Sequence, residues 1–168
     1  VARPAPSRAP GASVDELLLE GLYAHNQGRL EDAIRTYSLL LGRELTAKVR
    51  AIVLVHRGMG YFATGNGEGA REDFTEAIRT DPEHARAYYY RGTVDLERDD
   101  ESAEADFSRS LAIDRSQPDV LLARAGVRTR IGKPEQALAD CRESLRIDPN
   151  NEQARRLLSE LQANRNPR

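Results

Sequence analysis

Apolar residues along this chain recur at helical spacing. Ala70, Phe74, Ala77 and Ile78 fall at i, i+4, i+7 and i+8, which is one face of a helix. Such runs come in pairs, separated by short polar or glycine-rich turns: HNQGRLE, TGNGEG, RDDES and RIGKPE. Ser13 and Glu16 have capping-box spacing ahead of Leu17, Leu18 and Leu19, which predicts a helix start. The apolar run Ala51–Val55 is expected to begin another first helix, and Thr64–Gly69 to form the turn to its partner. Pro82 and Pro149 follow expected helix ends, and Pro134 suits a first turn. A last run, about 151–163, carries Ala154, Leu157, Leu158 and Leu161 on one face and is polar elsewhere. That pattern suits a cap with a solvated outer side.

The paired runs repeat. AIRTDP (77–82), SLAIDR (110–115) and SLRIDP (144–149) close three segments. REDF (71–74), EADF (104–107) and LADC (138–141) stand upstream at the same separations. A fainter copy, Gly21 followed by EDAIRTY (31–37), comes first, and the turn around LGRELTAK carries about three extra residues before the next unit. The expected organisation is a flexible Pro/Ala-rich leader at 1–12, helical hairpins at 13–45, 46–83, 84–116 and 117–150, a capping helix at 151–163 and a tail at 164–168.

The same periodicity disposes of a competing motif. Gly58-x-Gly60-x-x-Ala63, with Asp81 about twenty residues past the turn, spells a dinucleotide-binding fingerprint. That fingerprint needs a strand before its loop. Here Gly58 has counterparts at Gly21 and Gly92, and Asp81 at Asp114 and Asp148, without the rest of the motif. A feature that repeats with the fold is explained by the fold, so no nucleotide cofactor is expected.

Composition narrows the function further. The formal net charge of −2 argues against a nucleic-acid or anionic-membrane footprint. The longest apolar runs, about five residues, fall far short of the roughly 20 that span a bilayer, so no membrane insertion is expected. Lys48 and Lys133 are the only lysines among 25 basic residues, as in proteins of GC-rich genomes. The chain begins at Val1, compatible with a processed chain or an excised fragment. Cys141, the single cysteine, stands where other units carry an aromatic and reads as a small buried hydrophobe. His25, His56 and His84 lie in separate units and read as surface or groove residues. No G-x-S-x-G, H-E-x-x-H or Walker A motif occurs, so neither catalytic nor metal-binding residues are expected. The acidic run DLERDDESAEAD (95–106) reads first as a solvated turn with acids at a helix start, and second as a docking patch for a basic partner.

These residues resemble the tetratricopeptide repeat, whose signature runs W-x2-L-G-x2-Y, then A-x3-F, then P over about 34 residues. In the second unit Leu54 replaces the tryptophan and Arg57 the leucine, while Gly58, Tyr61, Ala70, Phe74 and Pro82 match. The other units keep Gly21 and Ala33-x3-Tyr37, then Tyr88, Gly92 and Ala103-x3-Phe107, then Leu121, Ala125, Ala137-x3-Cys141 and Pro149. The departures are the missing tryptophans, Ala24, Asp95 and Arg128 at the Tyr61 place, and arginines at the leucine place. The resemblance covers about 150 of 168 residues. It implies an all-α fold, a right-handed α-α superhelix of about nine helices. Small residues on facing positions (Gly58 with Ala70) would let each hairpin close.

The resemblance also implies where a partner would sit. In this family the first helices of successive units line a concave surface that holds segments of other proteins. Carried onto this chain, that face comprises Leu18, Leu22, His25 and Asn26; Val55, Met59 and Phe62; Arg86, Tyr89 and Thr93; and Leu122, Gly126, Thr129 and Arg130. It is apolar at one end and basic toward the other, which suits a peptide with apolar anchors followed by acidic residues. A second placement is open for Leu18, Leu22 and Val55, namely packing within the stack or a dimer. Some members clamp the acidic tail of heat-shock chaperones with lysines, asparagines and an arginine. The matching places here hold Leu18, Leu22, Val55, Met59, Tyr90, Asp119 and Ala123, so that clamp is absent. The function expected is a non-catalytic module binding a protein or peptide segment. A self-assembling homo-oligomeric scaffold is a compatible alternative, and a nucleic-acid-binding helical repeat a weaker one.

Overall fold

The computed structural model describes residues 11–96 and 98–165. Residues 1–10 of the leader expected at 1–12, and 166–168 of the tail expected at 164–168, lie outside the described residues. Within them the chain forms nine helices and no strand: α1 (Val14–Asn26), α2 (Leu30–Leu41), α3 (Ala47–Ala63), α4 (Gly67–Thr80), α5 (Ala85–Asp95), α6 (Asp100–Ile113), α7 (Pro118–Arg130), α8 (Pro134–Ile147) and α9 (Glu152–Arg165). Consecutive helices pair as hairpins, and the hairpins stack into a right-handed superhelix.

Local chemistry sets the helix ends. The Glu16 N–H donates to Ser13 Oγ at 3.2 Å, and the Ser13 N–H donates to the Glu16 carboxylate at 2.7 Å, closing the capping box. Hydrogen bonding to the Glu16 carboxyl from the Ser13 backbone N–H, and then from the Ser13 hydroxyl, holds it below its ordinary range. Thr46 caps α3, so this helix starts a full turn ahead of the apolar run at Ala51–Val55. The second turn is also shorter than expected. Asn66 Oδ1 accepts from the Gly69 N–H at 3.0 Å and starts α4 at Gly67, which leaves Gly67 and Gly69 helical. Of that glycine cluster only Gly65 occupies the left-handed region, at φ 82°, with counterparts at Gly28 and Gly132 in two other hairpin turns.

Three of the four hairpins close on a ring, and the fourth has Cys141 at that place. A Cβ at Gly58 would stand 2.6 Å from Phe74 Cε1, and one at Gly21 would stand 2.5 Å from Tyr37 Cε1. Gly92 faces Phe107 in the same way. The neighbour of the repeated glycine is therefore the aromatic residue four places past the alanine, rather than the alanine itself. Ala33, Ala70, Ala103 and Ala137 are fully buried. Between hairpins, His56 of α3 stacks on Tyr37 of α2 at 5.8 Å, and Tyr90 of α5 stacks on Phe74 of α4 at 5.6 Å. The last hairpin is covered by α9, which buries Ala154 and Leu161.

The arginines at the leucine place have a structural reason. Arg57 forks onto Asp73 with bonds of 2.8 and 2.7 Å. Arg91 does the same to Asp106 at 2.8 and 2.7 Å, and Arg124 to Asp140 at 3.0 and 2.7 Å. A guanidinium fork matches a carboxylate in plane, which suits Arg over Lys at a site of this kind. All three aspartates are buried. The first unit has neither partner, with Glu20 and Thr36 at the two places. Arg57 also donates to Ser38 and Arg124 to Ser108, each at 3.1 Å, tying a hairpin to the one before it.

Further pairs lock neighbouring units. Arg71 meets Asp95 at 2.9 Å, and Glu104 takes Arg128 at 2.9 Å and Lys133 at 2.5 Å. Arg130 grips Asp100, and Asp99 caps α6 through the Glu101 and Ser102 N–H groups. Most of the acidic run 95–106 is thus engaged within the protein, which favours the structural reading over a docking patch.

Candidate peptide-binding groove

The first helices of the hairpins, α1, α3, α5 and α7, carry every residue expected on the concave face. A cavity of about 510 Å³ opens between α3, α5 and the start of α7. It is lined by Ile52, Val55, His56, Met59, His84, Arg86, Tyr90 and Asp119.

Three expected groove residues, Val55, Met59 and Arg86, line this cavity. Val55 is 4% exposed and belongs mainly to the core around Phe74, so it supplies floor rather than reach. Phe62, a turn further along α3, is 48% exposed. Tyr89 is half-buried, its ring 6.0 Å from that of Phe107, with the Arg86 guanidinium carbon 5.4 Å from its ring centroid. Leu18 packs on the first core cluster, Leu22 and His25 are half-buried, and Asn26 is exposed. The hydroxyls of Thr93 and Thr129 donate to the carbonyls of Tyr89 and Ala125, one turn back on their own helices. Leu122 and Gly126 are half-buried.

The basic end of the face is internally neutralised. Arg86 donates to Asp119 at 2.5 Å across the step from α5 to α7, and Arg130 is held by Asp100. The sequence shows a basic end there because the acids that neutralise these arginines lie about thirty residues away in the chain, a distance only the stack closes.

The stack also gathers histidines that the sequence scatters. His56 and His84 share the cavity, and His25 lies near enough to act on His56. Burial pushes the His56 imidazole below its ordinary range, with His25 and His84 adding to the effect. Burial lowers His84 as well, against a partial offset from Asp81. Two buried polar atoms, His25 Nδ1 and Tyr37 Oη, have no partner among the described residues. Burial raises the Tyr37 hydroxyl to about 12. It raises the Cys141 thiol to about 11, so this residue stays a packed thiol and not a thiolate.

The lowered imidazoles carry a linkage consequence. Unfolded histidine titrates near 6.5, so between that value and the lower folded one the unfolded chain binds more protons. Stability contributed by neutral His56 and His84 is therefore complete above about pH 7 and is lost as pH falls through their lowered folded values. Melting curves at pH 7.5 and 5.5 should differ less in His56→Gln than in the parent chain; an unchanged difference contradicts this reading.

Helical hairpins in this register, stacked into a right-handed superhelix, define a tetratricopeptide-repeat protein. The profile of the family described as the ETO1 C-terminal domain matches residues 57–166, and the chain belongs to that family. It is 29% identical over 164 residues to the DnaJ homolog subfamily C member 7 homolog of Schizosaccharomyces pombe, covering 89% of this chain and 34% of that protein. The chain thus spans about a third of that relative. Among solved structures, the second TPR domain of human RPAP3, in complex with the HSP70 peptide SGPTIEEVD, is similar at 31% identity with a TM-score of 0.65. That match covers 69% of this chain and 98% of the domain. The crystal structure of MamA shares the fold at a TM-score of 0.76 and 20% identity, over 86% of this chain and 84% of MamA. Tetratricopeptide-repeat domains are generally non-catalytic protein-interaction modules.

Among the described residues, no group of three or more His, Cys, Asp or Glu side chains could hold a metal ion. No described helix is long and apolar enough to cross a membrane.

Proposed function

We propose that this protein binds a segment of another protein in its concave groove, with one apolar side chain of that segment seated in the cavity between α3 and α5. The observation that carries the reading is the make-up of the cavity. Ile52, Val55 and Met59 offer an apolar floor, and neutral His56 and His84 with Tyr90 offer hydrogen-bonding groups beside the mutually paired Arg86 and Asp119. A floor of this kind favours an aliphatic or aromatic anchor. Phe62 adds exposed apolar surface on the same helix.

The RPAP3 domain supports the coarse reading, since it holds a peptide on the same fold. The finer chemistry differs. That peptide ends in the acidic sequence EEVD, whereas Asp119 stands in this groove and Arg86 is already paired with it. A peptide with apolar anchors and little negative charge fits better than an acidic tail.

Peptides selected from a random display library on the immobilised protein provide the test. Met59→Ala with Phe62→Ala removes two apolar contacts of about 1.5–3 kcal/mol each at full burial, and should weaken binding by at least about tenfold. Tyr89 is left intact because its ring supports Phe107. A peptide ending in EEVD should not compete. Selected peptides that bind the double variant as well as the parent chain would sink the groove reading.

A further inference from the structure

We infer that the outer face of α1 is a pairing surface for a second copy of this chain, packed antiparallel across a two-fold axis near Leu19 and Tyr23. The argument starts from register. Leu19 and Tyr23 hold the places that His56 and Gly60 hold in α3, Tyr90 and Val94 in α5, and Ala123 and Val127 in α7. In those three helices the places are covered by the preceding hairpin. His56 lies on Tyr37, Gly60 faces Ile34 so closely that a Cβ would stand at 2.9 Å, Tyr90 lies on Phe74, and Val94 and Val127 are buried. In α1 the same places are 66% and 61% exposed, more than any other large apolar residue described. A stacking face of this kind is complementary to another helix by construction.

Charge selects the occupant. Asp15, Leu19 and Tyr23 fall at i, i+4 and i+8 on one face, with Glu16 beside them at the acidic start of the helix. The opposite end of the face is Asn26 and Gln27, followed by Arg29, whose guanidinium lies 5.6 Å from the Tyr23 ring centroid. Asp15 has no ion pair among the described residues, and Arg29 reaches only Asp32, at 3.5 Å. Laying two α1 helices antiparallel with Leu19 on the other copy's Tyr23 brings Asp15 of each copy toward Arg29 of the other, the Glu16 carboxylate being held by the Ser13 cap. Apolar centre meets apolar centre, and acidic end meets basic end, which is the self-complementarity an isologous contact requires. The other end of the stack cannot serve, because α9 buries Ala154 and Leu161 inward and presents Arg155, Arg156, Ser159 and Glu160 outward. One pairing face closes the assembly at two chains and builds no filament.

Sedimentation equilibrium across a concentration series reads this directly. A contact made by one helix per copy is small, so dissociation on the order of micromolar or weaker is expected. The parent chain should pass from monomer to dimer. Leu19→Glu with Tyr23→Glu should remain monomeric with unchanged helicity and melting temperature, since neither side chain is buried. Arg29→Glu should weaken the dimer about tenfold or more, and Asp15→Arg added to it should restore it. A parent chain that stays monomeric into the millimolar range overturns the proposal. So does a dimer that survives the Leu19/Tyr23 change, or one indifferent to the charge reversal.

Discussion

Asp140→Ala destabilises the protein by about 2–3 kcal/mol, and the loss is concentrated in α7, α8 and α9. Asp140 is 4% exposed and its carboxylate is shared by Arg124 and Arg128. Removing it leaves two largely desolvated guanidiniums facing one another across the hairpin. Breaking a buried pair in this way typically costs about 3–5 kcal/mol. Both arginine side chains keep some contact with water, at 16% and 15% exposure, which sets the expectation at or just below the bottom of that range. Arg128 also retains Glu104. Urea denaturation measures the total, and amide exchange locates it, because stability in a stacked array is local. A well-packed apolar replacement of the cluster, with Arg124→Met, Arg128→Met and Asp140→Leu together, should lie nearer the parent chain than Asp140→Ala alone. A loss under about 1 kcal/mol for Asp140→Ala would mean that the Arg–Asp forks are decorative.

Gly58→Val is the second large effect, about 2–3 kcal/mol. The first atom added to Gly58 already stands 2.6 Å from the Phe74 ring, and Phe74 is 1% exposed with nowhere to retreat. The gain in helix propensity over glycine, under about 1 kcal/mol, does not offset it. Phe74→Leu added to Gly58→Val should recover part of the loss, so that the pair is less damaging than the sum of the singles. Gly126 is the internal control. It sits in α7 with open space around its Cβ direction, so Gly126→Ala should be neutral or stabilising by up to about 1 kcal/mol. Equal behaviour of Gly58→Ala and Gly126→Ala in thermal melts would remove the packing explanation for the repeated glycine.

The architecture was legible because each hairpin restates the same constraint. Gly21, Gly58 and Gly92 recur at one place and Tyr37, Phe74 and Phe107 at another, and a periodicity of that kind survives the loss of any single signature residue. What escaped was pairing between places. Arg57 and Asp73 fall in separate parts of the repeat signature, so their pairing shows only in the fact that arginine and aspartate recur together in three units and are absent together from the first. Helix ends were read from apolar runs, so the caps at Thr46 and Asn66 moved α3 and α4 by a turn or less. In the groove, helical spacing identified the first helices but not the angle between hairpins. Stacking of one hairpin on the next gathers Tyr90, His56 and His84 at the cavity, while Tyr89 leans on Phe107 of its own hairpin. It also brings Asp119 to Arg86, thirty-three residues apart in the chain.

Met59 allows the binding claim to be tested at one atom. It is the only methionine in the sequence and lines the cavity between α3 and α5. Carbon-13 labelling of its methyl group gives a single resonance from the proposed anchor site. Titration with a library-selected peptide should move that resonance in a saturable way, with the same dissociation constant as binding measured by calorimetry, and Met59→Ala should weaken the calorimetric signal. A methyl resonance that stays in place while calorimetry reports saturation would put the peptide elsewhere on the protein and contradict the groove as its binding surface.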